Sequence, residues 1–135
     1  MTVAVPVHES RVAPLLDVAR EVLVVDVREG EEAGRSTLDL TGLPVSLRVD
    51  ALSRRGVNTV ICAGLCGHLW RLLHMWEIDV VAGVVGDVET VLRAFCAGRL
   101  DQPRFRMPGC RRARRRLGRG GGRPRDRRGG ATRGR

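Results

Sequence analysis

Apolar residues in this chain fall into short runs of two kinds, and the order of those runs predicts the fold class. Thr2–Val7 (TVAVPV) and Glu21–Val27 (EVLVVDV) are compact and rich in β-branched residues. The second is apolar at nearly every position, the pattern of a central strand covered on both faces. Arg35–Leu40 (RSTLDL) alternates polar and apolar, as a half-exposed strand does. His8–Ser10 is a polar break, and Arg28–Gly34 (REGEEAG) reads as a hairpin-like turn carrying two glycines. Arg11–Arg20 (RVAPLLDVAR) fits neither period, because Pro14 opposes a continuous helix.

From Pro44 the period lengthens. Pro44 suits the first turn of a helix running to about Arg55, with Leu43, Leu47, Ala51 and Leu52 on one face and Gly56 ending it. Val57–Ala63 then reads as a strand, Leu65 or Cys66 to about Trp76 as a helix, and Ile78–Val85 as a strand. A last helix starts at Gly86–Asp87, with Asp87 as N-cap, and ends near Gly98. Three strands followed by α-β-α-β-α predict one α/β domain over residues 1–100, with a mixed sheet and helices on both faces. Residues 101–110 (DQPRFRMPGC) read as an extended connector. Residues 111–135 are Arg, Gly and Pro with almost nothing apolar, a composition that predicts disorder.

Charge sharpens that division. The net charge of +9 is an average over two unlike parts. Residues 111–135 hold twelve Arg and one Asp, whereas residues 1–110 hold twelve Arg and fourteen acids. The body is near neutral and the tail is a polycation, so weak binding of nucleic acid or another polyanion through the tail is one candidate function. The tail lacks the interleaved aromatics that stack on bases. No run approaches the roughly twenty apolar residues of a membrane span. The first ten residues lack the basic and apolar regions of a secretory signal. The expected compartment is the cytoplasm, where the four cysteines are reduced, metal-binding or simply buried.

The densest chemistry lies in residues 57–76, VNTVICAGLCGHLWRLLHMW. A strand ending at Cys62 turns through Gly64 into a helix near Cys66, Gly67 and His68. Such a junction offers free backbone N–H groups and a positive helix end, which favour a thiolate or an anionic cluster. Cys62 and Cys66 are the first-choice ligands, although small buried cysteines are common in cores. His68 and Cys110 are auxiliary candidates, and His8 lies at the same edge if its strand runs parallel to the one ending in Cys62. Cys96 reads as a core residue, His74 as a partner of a helix end, and Trp70, Leu73 and Trp76 as a core or interface stripe. There is no phosphate loop or H-E-x-x-H motif, and Asp26 lacks the carboxylate partners of a two-metal nuclease.

The ordered combination of VAVPV, VVDV, VICAG, I-D-V-V and V-x-x-V-L-x-A-F-x-A-G-R-L resembles the dinitrogenase iron–molybdenum cofactor biosynthesis family, with its NifX-type carriers and NifB-type C-terminal domains. The resemblance spans roughly residues 2–110. It implies a ribonuclease H-like three-layer α/β/α fold with a five-stranded mixed sheet. It also implies non-catalytic binding, storage or transfer of an iron–sulfur or iron–molybdenum cluster precursor between donor and acceptor proteins. Many members carry a Ser-x-His-Phe-Gly-like segment after the first strand. Here Arg11–Asp17 has neither His nor Phe, so a regulatory or scaffold module without the ligand is a further alternative.

Overall fold

The structure, a computed structural model, describes residues 1–100 and Phe105. The expected connector and the Arg-rich tail, Cys110 among them, otherwise lie outside the described residues. The strands are β1 (Thr2–His8), β2 (Arg11–Val12), β3 (Glu21–Arg28), β4 (Glu31–Asp39), β5 (Thr59–Ile61) and β6 (Asp79–Val81). The α-helices are α1 (Val45–Arg54), α2 (Gly67–Met75) and α3 (Val88–Cys96), and a 3-10 turn covers Leu16–Val18.

The sheet runs β4-β3-β1-β5-β6, with β2 paired to β1. β1 is antiparallel to β3 (Val5 opposite Leu23) and parallel to β5 (Ala4 opposite Val60). β5 is in turn parallel to β6. The carboxyl ends of β1, β5 and β6 therefore share one edge.

Strand side chains alternate between two apolar clusters. Val3, Val5, Val25 and Ile61 face Val88, Val91 and Leu92 of α3. Ala4, Val22, Val24, Val60 and Cys62 face Val49 and Leu52 of α1 and Leu69 and Leu73 of α2. The sheet is covered on both sides, which accounts for the nearly unbroken apolar run of β3.

Four local expectations are corrected. The seven-residue turn over 28–34 is a two-residue turn, with Glu29 and Gly30 at φ 53° and 77°. β4 extends to Glu31, and the register passes from Asp26–Gly34 to Val27–Glu32, leaving Ala33 as a bulge. β4 is exposed along almost its whole length, and its first residues, before Arg35, carried no apolar signal of a strand. Arg11–Arg20 resolves into β2 and the 3-10 turn on either side of Pro14. β5 and β6 keep only three residues each, because the chain beyond them leaves the ladder for loops. On α1, Leu47 is exposed and Arg48 takes the inward position.

The Arg48 side chain is buried and donates to main-chain oxygens. Nε bonds Leu43 O at 2.8 Å, and Nη1 bonds Ala19 O at 2.5 Å and Leu16 O at 3.3 Å. Burial pulls its pKa down from the ordinary guanidinium value, opposed by the Asp17 carboxylate. On the other face Arg35 of β4 pairs with Glu32 and with Glu89 of α3, holding both carboxyls below their ordinary range. No described helix is long and apolar enough to cross a membrane.

Two stability measurements test this packing. In urea unfolding, Leu52→Ala, which empties a fully buried site between α1 and the sheet, lowers stability by about 2–5 kcal/mol. The β1–β2 turn places Glu9 and Ser10 at φ 51° and 69°, and Ser10→Gly raises stability by about 1 kcal/mol by relieving a left-handed non-glycine residue.

Candidate functional site at the β5–α2 turn

β5 ends at Ile61, and Cys62 continues it by bonding Val81 O through its own N–H at 2.9 Å. The chain turns through Gly64 and enters α2 with Cys66 as N-cap, whose sulfur accepts from Leu69 N–H at 3.4 Å. The sequence has no Ser, Thr, Asp or Asn at this cap, and a thiol takes the place they usually fill. Gly67 and His68 form the exposed first turn of α2.

The two first-choice cysteines occupy opposite environments. Cys66 is exposed. Cys62 is fully buried in the apolar cluster under α1 and α2, and burial, reinforced by the Asp17 carboxylate, pushes its pKa up to about 12. A thiol so placed is neutral and is not offered to a ligand in this conformation. The separation follows from alternation along an extended chain: Ile61 and Ala63 face α3, and Cys62 between them faces α1 and α2.

The crevice at the carboxyl edge is occupied by the chain itself. Residues 10–19 cross it as a strap. Val12 N bonds Gly86 O at 2.9 Å, Gly64 N bonds Pro14 O at 3.0 Å, Leu16 N bonds Gly64 O at 2.9 Å, and Val88 N bonds Ser10 O at 2.9 Å. Asp17 Oδ1 accepts the Cys66 backbone N–H at 2.9 Å, so a free donor of the junction is already taken by the protein. At Gly64 an added Cβ would lie 3.0 Å from Pro14 O. Glycine is required there by close backbone approach of the strap.

The remaining candidates scatter. His8 is exposed at the end of β1, on the shared edge as expected, and lies 3.8 Å from Glu9. His74 is exposed near the end of α2. Leu73 is core, whereas Trp70 and Trp76 are exposed. Asp26 accepts from the Thr2 hydroxyl at 2.9 Å. Cys96 is half-buried at the end of α3, beside an open groove of about 510 Å³ shared with Gly30 and Glu31. That groove lies at the other end of the sheet and holds no chemistry of the β5–α2 turn. Among the described residues, no group of three or more His, Cys, Asp or Glu could hold a metal ion. Asp17 and Arg48 were not singled out from sequence: one carboxylate in an ambiguous stretch and one arginine in an amphipathic helix carry no signal of their contacts.

The architecture is that of a mixed α/β domain with a mixed sheet and helices on both faces. The sequence profile of the dinitrogenase iron–molybdenum cofactor family matches residues 1–98, and the chain belongs to that family. Its fold is shared with solved structures. The PH0822 protein is 21% identical with TM-score 0.72, covering 76% of this chain and 95% of that one. A candidate dinitrogenase of Methanocaldococcus jannaschii is 15% identical with TM-score 0.64, covering 78% and 96%. A candidate NifB protein of Thermotoga is 21% identical with TM-score 0.60, covering 73% and 89%. No curated protein matches the chain.

The Cys62 environment gives an alkaline signature. Its folded pKa of about 12 stands above the ordinary 9.0, so its stabilising contribution is complete below pH 9 and is lost as pH rises toward 12. The stability gap between the wild type and Cys62→Ala, measured by urea unfolding, is expected to narrow above pH 9 by about 1.4 kcal/mol per pH unit.

Proposed function

We propose that this chain is a non-catalytic carrier that binds, stores or transfers an iron–sulfur or iron–molybdenum cluster precursor during metallocofactor maturation. The observation that carries the reading is family membership over residues 1–98 combined with an exposed thiol, Cys66, at the start of α2. A thiolate and an anionic cargo are both favoured at that helix end. The ribonuclease H-like, three-layer assignment of the domain belongs to the same reading.

The described residues do not form a closed metal cage. Cys66 therefore acts as one exchangeable ligand, with His68 beside it, and the remaining ligands come from the donor or acceptor protein or from Cys110 outside the described residues. Incomplete ligation suits a cargo that must be handed on. Apolar side chains support docking of such partners, since exposed apolar clusters mark interaction surfaces. Leu15 and Val18 flank Asp17 on the strap, Leu47 precedes Arg48 on α1, and Trp70 lies one turn after Cys66 on α2, all exposed.

Anaerobic reconstitution of the full chain with iron and sulfide tests the reading. Cys66→Ala is expected to remove most of the visible cluster absorption, while Cys62→Ala retains most of it. Wild-type absorption in Cys66→Ala would end the assignment of this thiol.

A further inference from the structure

Cys62 lies only four residues before the exposed Cys66, yet it is sealed in the core beneath α1 and α2, and the strap closes that layer at the carboxyl edge of the sheet. Leu16 of the strap is fully buried in the same apolar cluster as Cys62. Its own N–H and the Pro14 carbonyl before it are fastened to Gly64, two residues beyond Cys62, and Asp17 is fastened to the Cys66 N–H. Among the described residues, the long side chain that reaches the strap from the helical layer and bonds it is Arg48, through Leu16 O and Ala19 O.

Packing alone does not account for Arg48. Its position faces the core, where an aliphatic side chain would be accommodated without burying a charge, and among the described residues no carboxylate forms an ion pair with it. A buried cation bonded only to carbonyls is an expensive choice. What it gains is specificity, because one guanidinium ties Leu43 O to the Leu16 and Ala19 carbonyls of the strap, and the two strap bonds form only when the strap is down.

We infer that Arg48 is a positioning residue that latches the 10–19 strap over Cys62, and that release of this latch adds the Cys62 thiol to Cys66 as a two-thiol site. The closed conformation presents one sulfur and the open one presents two. Cargo affinity is then set by the state of the strap rather than by a fixed cage. The inference deepens the carrier reading and rests on its assignment of Cys66, but its test uses no metal.

The full-length protein is alkylated with iodoacetamide in its native state, and the rates at Cys62, Cys66 and Cys96 are followed by peptide mass mapping. Amide exchange of Val24 and Val60 reports opening of the whole sheet. In the wild type Cys66 reacts fast and Cys62 slowly. Arg48→Met, which removes the side-chain donor from Leu43 O and Ala19 O and leaves Leu16 O with the Ala19 N–H, is expected to raise the Cys62 rate about tenfold or more, with core amide exchange unchanged. Gly64→Ala, which pushes on Pro14 O, and Asp17→Asn, which weakens the link to Cys66, act on the strap from its other side and are expected to move Cys62 the same way. The Arg48→Lys variant restores part of the protection. Cys62 rates that stay at the wild-type level in the folded variants, or that rise only in step with Val24 and Val60 exchange, overturn the latch. Loss of iron binding with this labelling pattern intact would instead sink the carrier reading and leave the latch standing.

Discussion

The placement of residues 10–19 across the carboxyl ends of β1, β5 and β6 is the constraint on which the rest of the molecule depends. The segment starts from the antiparallel half of the sheet and is bonded to loops of the parallel half at Gly64, Gly86 and Val88. Those loops have left the ladder, so their backbone groups need partners or water. The strap supplies partners, and Arg48 donates to the strap's Leu16 and Ala19 carbonyls. One irregular stretch thereby closes the edge where open α/β sheets ordinarily bind their ligands.

That closure decides the character of the two cysteines. Cys62 follows strand alternation into the apolar layer, where desolvation holds it as a neutral thiol. Cys66 caps α2 at the surface, with its N–H held by Asp17 and its sulfur near the Leu69 N–H. A spacing of three intervening residues does not by itself create a pair, because the turn at Gly64 separates the thiols by layer. Leu15 and Val18 of the strap and Trp70 of α2 are exposed large apolar residues within a few positions of Asp17 and Cys66 in the chain.

Much of the element order was legible because burial leaves a periodic trace. β1 and β3 carry compact apolar runs, and α3 is strongly amphipathic with Asp87 capping it through Thr90 N–H at 3.2 Å. β4 was half legible: its last residues alternate, but Glu31–Gly34 (EEAG) are exposed, without a buried apolar face, and could be recognised only by their pairing with β3. At the site, the junction and the exposed Cys66 were readable from a strand run meeting a helical period. The burial of Cys62 was one of two open alternatives until the neighbouring layers were known.

What the sequence determined by itself is local: alternation, helical stripes, caps, glycine turns and the ordered motifs that place the chain in its family. Each depends on residues within a few positions of one another, so a linear reading suffices. Only the tertiary structure decided that the Pro14 segment is a strap, that Gly64 is small because Pro14 O sits against it, that Arg48 points inward, and that Cys62 is sealed while Cys66 is open. Those outcomes join residues tens of positions apart, such as Asp17 with Cys66 and Arg48 with Leu16. Contacts of that kind follow from how layers stack and leave no period in the chain.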